Sequence, residues 1–395
     1  MKKILYISAL ASECHIKKVY NQTKKNPGFA VQKFSRLLVK GLVKNGADVH
    51  ALSNPTIIEK KQKIIHYEKE EEQGIVYKYI PYFNILLLKH ICLFLYSFFY
   101  VLLWGIKNRK DKIIICDVLS VSICIGALLA SKINRVMSVA IVTDIYGLMQ
   151  NIDNQSLIVR AARKLNMWYS SSFDKYILLT EQMNNVVNPK GRPYIIMEAL
   201  CDFSLNISTN EKLSKTCPRT IIYAGGISEV YGLKMLAKGF IKADVQNAKL
   251  VYYGSGPYVD EFKKMCEVHT NLEYRGVAPT DVVENEEMKA TLLVNPRFST
   301  EEFTKYSFPS KNMEYMASGT PLLTTNLPGM PSEYHRYVYL FKKETIEGYA
   351  DMLRFILSKS IEELNSFGLK AKDFVLKNKN NIAQGKRIID FLNQI

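Results

Sequence analysis

Lys311 and Glu314 lie three residues apart in YSFPSKNMEYMASGTP (306–321), a segment patterned as the start of a helix. Residues at that spacing share one helical face, so a cation suited to phosphate and acceptors suited to a sugar diol arise together. Pro309 suits the first helical position because it lacks an N–H that would be unpaired there, and Ser307 or Ser310 supplies a cap. The free amides of that turn form an anion site. Ala317 to Pro321 ends the helix, and Leu322 to Thr325 reads as the next strand. Upstream, Gly225 and Gly226 close the run RTIIYAGG. They let a backbone approach phosphates, although a plain tight turn explains them too. Arg297, in NPR, reads either as a phosphate ligand or as one half of a salt bridge at a strand end.

Carboxylates mark the other half of the chain. Asp117 follows the strand KIIIC and Asp144 follows VAIVT, each at a carboxyl end, the usual ligand edge of an α/β sheet. Either takes a proton from a substrate hydroxyl, hydrogen-bonds it, or simply caps a helix. Glu198, in MEALCD, reads as one half of an ordinary ion pair, and His15 as a surface or loop histidine. There is no H-E-x-x-H, Walker loop, G-x-S-x-G elbow or D-x-D pair, and the GSGP turn at 254–257 lacks the third glycine of a dinucleotide fingerprint.

The elements that must position these residues follow from pattern. KKILYISAL (2–10) and RTIIYAGGI (219–227) repeat one opening, a basic residue and a β-branched run before a turn, which predicts two doubly wound α/β domains. Further strands are expected at 48–52, 76–80, 112–116, 139–142, 175–179, 194–197, 249–253, 272–274, 290–294 and 321–325, with helices such as 29–46 between them. The boundaries expected are a first domain at 1–207, a second at 208–375, and a helix at 376–395 that finishes the second domain or crosses back to the first.

Composition narrows the partners. The 395 residues carry a net charge of +16, which favours anionic partners. Nucleic acid is disfavoured, because the basic residues are dispersed and the aromatics concentrate in one apolar run. The seven cysteines show no C-x-x-C spacing, as expected of buried thiols in a reducing cytosol. The apolar start is short and precedes Glu13, which argues against a signal peptide and for a cytoplasmic protein. The run 91–106, ICLFLYSFFYVLLWGI, is about 24 Å long as a helix, short of the roughly 30 Å hydrocarbon core. It reads either as a buried core helix or as one dipping into a leaflet, with Lys89, Lys107, Arg109 and Lys110 on lipid phosphates.

IIYAGGISEVYGL, LVYYGSGPYVDEF, NLEYRGV, LLVNPR and YSFPSKNMEYMASGTPLL, in this order, resemble the donor-binding domain of GT-B glycosyltransferases, and within them the large family 4 of bacterial capsular, exopolysaccharide and O-antigen enzymes. The ordered set covers about 219–345; the N-terminal half matches more loosely, through the first strand, the Gly28 region and IIMEALCDF. The resemblance implies two Rossmann-like domains facing across a cleft, and transfer of a sugar from a UDP- or GDP-linked donor, without a metal and with retention, to a saccharide on a polyprenyl diphosphate at the inner face of the plasma membrane. By the same resemblance Glu314 binds the ribose, with Gly225, Gly226, Arg297, Ser310 and Lys311 around the diphosphate, Gly28 and Glu198 on the acceptor side, and Asp117 or Asp144 in catalysis. Tyr306 stands where the family has the acid that contacts the transferred sugar. Gly226 and Tyr231 stand where it has an Arg and a Lys on the diphosphate. The sugar-nucleotide 2-epimerases share this architecture and remain an alternative, against which the long apolar run counts.

Overall fold

Each of the two repeated openings becomes an inner strand of a parallel sheet. In this computed structural model the described residues are 1–23, 29–54, 63–106, 111–145, 157–206 and 218–394. Gly28 and most of the polar stretch 206–218 lie outside them. The chain divides into two units, Met1–Leu200 with Asn381–Ile395, and Cys201–Asn380.

The first unit runs β1 (Lys3–Ser8), α1 (Glu13–Thr23), α2 (Phe29–Lys44), β2 (Asp48–Ser53), β3 (Ile64–Ile65), β4 (Glu70–Glu72), β5 (Ile75–Tyr79), β6 (Tyr82–Phe83) and α3 (Leu86–Ile106). It continues through β7 (Lys112–Asp117), α4 (Val121–Asn134), β8 (Met137–Val142), α5 (Leu157–Ser170), β9 (Lys175–Leu178), α6 (Glu181–Val187) and β10 (Tyr194–Ile196). The sheet order is β10-β9-β8-β7-β1-β2-β5-β4, parallel except for β4, while β3 and β6 pair separately. Strands buried on both faces explain the near-continuous apolar runs KILYIS and KIIICD.

The second unit runs β11 (Arg219–Gly226), α7 (Leu233–Ala243), β12 (Ala248–Ser255), α8 (Val259–Val268), β13 (Leu272–Tyr274), α9 (Thr280–Lys289) and β14 (Leu292–Asn295). After these come α10 (Ser310–Ser318), β15 (Leu322–Thr324), β16 (Tyr339–Leu340), α11 (Ile346–Leu357) and α12 (Ile361–Asn378). Its all-parallel sheet has the order β13-β12-β11-β14-β15-β16. The last helix, α13 (Asn381–Asn393), belongs to the first unit. There Asn45 donates to Ile382 O (2.9 Å), Gln384 to Ala199 O (3.1 Å) and the Lys175 amine to Phe391 O (2.9 Å).

Several local expectations need correction. The apolar helix begins at Leu86, not Ile91, so its 21 residues span about 31 Å. It is not a buried core helix either, since only Leu93, Ser97, Val101 and Gly105 are buried. The basic C-terminal stretch is two helices broken at Lys379–Asn380. Pro309 is the N-cap of α10 rather than its first residue, and neither serine caps it. The short strands β3, β4, β6 and β16 carry too few residues to show a period. Among the described cysteines, Cys14 is exposed, while Cys116, Cys124 and Cys201 are buried.

Candidate functional site

In the second unit the chain moves from β11 outward to β12 and β13, then returns to lay β14 on the other side of β11. Connections leaving the carboxyl ends of β11 and β14 therefore diverge, and a crevice opens between them where α/β sheets bind ligands. The residues leaving these strands are Gly225 and Gly226 on one side and Pro296 and Arg297 on the other.

Two further glycines hold this edge together. Gly254 has φ 127°, and a Cβ there would lie 1.8 Å from Gly225 O, so the GSGP turn can rest directly on the Gly225–Gly226 turn. Gly232, just before α7, has φ 76° and its Cβ would meet Pro296 O at 1.9 Å. Tyr349 donates to the same Pro296 carbonyl (3.0 Å). The start of α7 and the loop carrying Arg297 are thus in contact.

The Arg297 guanidinium lies over the Tyr231 ring, 4.8 Å from its centroid, and the ring edge itself rests against Gly226. Burial holds the guanidinium below its ordinary pKa, with Tyr223 and Tyr231 opposing this weakly. Among the described residues no carboxylate pairs with Arg297 and its buried Nε has no hydrogen-bond partner. A desolvated cation without a counter-charge is costly, and an anionic ligand relieves the cost. Tyr223, whose hydroxyl donates to Gly226 O (2.9 Å), is pushed by burial up to about 12, Arg297 opposing.

The other cations at this edge are already engaged. Lys234, in the first turn of α7, pairs with Glu261 (2.8 Å) and Glu229 (3.4 Å). Lys311 pairs with Glu314 (2.9 Å) and lies 3.9 Å from the buried Glu287. Burial pushes the Lys311 amine down, but the two carboxylates outweigh it and raise its pKa. Glu314 itself is half-buried on the same face of α10, and Ser310 is exposed at the helix start.

α10 is tied to the glycine turn by a residue that sequence reading did not single out. The Tyr315 hydroxyl accepts from Ala224 N (2.8 Å) and lies 3.3 Å from Ala224 O, to which it donates. Behind it, Asn295 donates to Asn312 Oδ1 (2.7 Å), joining the end of β14 to α10. The glycine turn, Arg297 and the Lys311–Glu314 pair thereby share one framework. A Tyr one residue after the glutamate was visible in the sequence, but nothing there pairs it with a strand 91 residues away.

Tyr306 is half-buried at the end of a short 3-10 segment (Glu302–Tyr306). The nearest acid before it in that segment, Glu302, pairs with Lys305 (2.7 Å) on the exposed side. The loop between β14 and this segment is held by Glu344, which accepts from Ser299 N (2.9 Å) and from the Ser299 hydroxyl. No local signal could have linked these two.

In the first unit the corresponding crevice lies between β1 and β7. Asp117 ends β7 but is almost fully buried, its carboxylate accepting from Leu119 N (3.1 Å). Burial raises its pKa from 3.8 to about 6, the Leu119 hydrogen bond opposing. It does not cap α4, whose N-cap is Ser120. Asp144, beyond the end of β8, is exposed and accepts from Ile145 N (2.8 Å). Glu198 is buried in the segment after β10. His15 is not a surface histidine: it is buried in α1 between Tyr67 (4.6 Å) and Tyr79 (4.9 Å). Among the described residues no three His, Cys, Asp or Glu gather as metal ligands.

Residues 218–359, which include both sides of the crevice beside β11, match the family model described as glycosyl transferases group 1. The second unit carries a glycosyltransferase group 1 domain. The chain also resembles solved structures over its whole length, and they place its fold in the GT-B class. TarM matches at 14% identity and a TM-score of 0.66, covering 100% of this chain and 99% of its own. Anabaena HepE in complex with UDP matches at 12% and 0.64, covering 100% of both chains. Sucrose-phosphate synthase from Thermosynechococcus elongatus matches at 12% and 0.63, covering 100% and 99%. No curated protein sequence matches the chain significantly.

Proposed function

We propose that the chain transfers a glycosyl group from a UDP- or GDP-linked sugar to a saccharide acceptor. The observation that carries this is Arg297, a desolvated guanidinium without a carboxylate partner among the described residues, held on Tyr231 beside the Gly225–Gly226 turn. Breaking the glycosidic bond leaves negative charge on a departing diphosphate, and a preorganised cation stabilises that charge in the transition state. Arg297 supplies it directly. Lys311, already balanced by Glu314 and Glu287, positions the ribose-binding glutamate more than it neutralises phosphate. That HepE was solved with UDP and with UDP-glucose supports a nucleotide-linked donor.

The rest of the proposal is finer. Transfer needs no cofactor beyond the donor and proceeds with retention, and Tyr306 replaces an acid with a hydroxyl at the sugar. Asp144, exposed at the carboxyl edge of its sheet, meets the acceptor, while the buried Asp117 acts only once ionised. The acceptor is a saccharide on a lipid diphosphate, and the enzyme works on the inner face of the plasma membrane in building surface polysaccharide. The net charge of +16 and the apolar α3 support that location.

The test is thermal stabilisation by UDP, GDP and their sugar conjugates, since a ligand of the folded state raises Tm with affinity and concentration. A nucleoside diphosphate should stabilise the wild type and not Arg297→Ala. No shift with any of them overturns the donor site. Epimer formation from donor alone would sink the transferase reading.

A further inference from the structure

We propose that α3 and the adjoining end of α4 form a face that docks into the acyl region of an anionic membrane, with α3 lying in the plane of one leaflet. The inference deepens the membrane location proposed above but is independent of the chemistry.

The face follows from helical geometry. Leu93, Ser97, Val101 and Gly105 form one buried stripe of α3, at intervals of four. Residues two positions away point to the opposite side of a helix, and there the sequence places Ile91, Leu95, Phe99 and Leu103, also at intervals of four. These are 53%, 44%, 55% and 68% exposed. Leu86, Leu87 and Ile106 extend the stripe to both helix ends, and Leu129 and Ile133 add to it from α4. An ordinary surface helix turns polar side chains outward. This one is apolar on both sides, and so large an exposed apolar patch marks an interaction surface.

α3 is fastened along its length to α4 and cannot leave to cross a bilayer. A Cβ on Gly126 would meet Phe94 O at 2.3 Å, so the two helices are in backbone contact. Asn134 donates to Leu102 O (2.6 Å) near one end, and His90 Nδ1 and Ser122 Oγ are 2.7 Å apart near the other. α4 in turn packs on β1, β7 and β8 of the sheet.

Charge identifies the occupant. Between Glu72 and Asp111, and again between Asp117 and Asp144, the sequence has no acidic residue. The cations there include Lys78 against Tyr100 (4.7 Å), Lys89 against Tyr82 (4.9 Å) and the exposed Arg135 after α4. Such one-signed residues beside an apolar stripe suit lipid phosphates around an acyl interior. A second copy facing the first would set cation against cation, which disfavours self-association.

Flotation of the full chain with phosphatidylglycerol/phosphatidylcholine vesicles tests this. Wild type should float with them, less so in high salt, and the triple variant Leu95→Glu, Phe99→Glu, Leu103→Glu should lose at least about 100-fold in partitioning, since each charge replaces an exposed apolar group that docking would bury in lipid. The variant's UDP-induced thermal shift, read in parallel, should equal that of wild type, so loss of that shift in both proteins rejects the donor reading and leaves docking intact. In a Phe99→Trp variant the new indole should be quenched by lipids brominated on the acyl chain. Wild type that does not float, a triple variant that floats equally, an indole left unquenched in Phe99→Trp, or a dimer that the triple substitution dissolves would each overturn the proposal.

Discussion

Where β11 parts from β14, the chain leaves two glycines, a tyrosine ring and a guanidinium with no carboxylate partner among the described residues. Where β1 parts from β7, in a sheet wound on the same plan, it leaves the buried carboxyl of Asp117 with no paired cation among the described residues. Both groups are held in their costly environment by surrounding structure, and they differ in sign. Topology therefore sets where the strand ends diverge, while the residues leaving the strands set the charge each crevice carries; under the proposed function that suits an anion at the first crevice and a hydroxyl or a proton at the second.

Arg297 gives the largest test of that contrast. Arg297→Met should weaken nucleoside diphosphate binding by about 100- to 1,000-fold, because the diphosphate loses its partly desolvated cationic partner. The unliganded variant should melt no lower than wild type, because a half-buried charge without a carboxylate partner among the described residues has been removed. Calorimetric titration and melting curves read the two effects, and equal loss of affinity in Asp117→Asn would erase the distinction.

Asp117 sharpens the other side. Its folded pKa of about 6 lies above the ordinary 3.8, so the folded state binds more protons between these values. The stability this provides is complete below about 3.8 and is lost as pH rises through about 6, a difference of about 2–3 kcal/mol. Urea titrations of Asp117→Asn from about pH 4 to 7 should lack that decline. An identical slope in wild type and variant would show that the carboxyl is not desolvated.

Smaller effects follow at α10. Glu314→Ala should cost about tenfold in nucleotide affinity, the loss of a charge-assisted pair of hydrogen bonds to the ribose, while Asp144→Ala leaves binding unchanged. Equal losses would abolish the division between the units. Tyr315→Phe should lower stability by about 1 kcal/mol, since it strands the buried Ala224 N–H, and should weaken nucleotide binding slightly by loosening α10 from the glycine turn.

Strand runs and helix ends were legible where local pattern determines them. KILYIS, KIIICD and RTIIYAGG needed only an apolar run to declare buried parallel strands, and Gly319 ended α10 as its left-handed C-cap. The extent of α3 was misread because Leu86 to His90 includes Lys89 and His90, which local hydropathy treats as a boundary although the backbone continues through them.

The sequence by itself determined the element types, the repeated α/β plan, and the presence of Lys311, Glu314, Arg297 and the paired glycines, because period, capping and residue chemistry are local properties. Tertiary structure alone decided which charges remain available. Lys311 and Arg297 are equally cationic on the page, yet one is balanced by Glu314 and Glu287 and the other rests on Tyr231 with no carboxylate partner among the described residues. It alone also placed Tyr315 on Ala224, α13 in the first unit, and the apolar stripe of α3 on the outside. The reason is physical: a side chain's available charge and exposure depend on neighbours tens to hundreds of residues away, which no local pattern encodes.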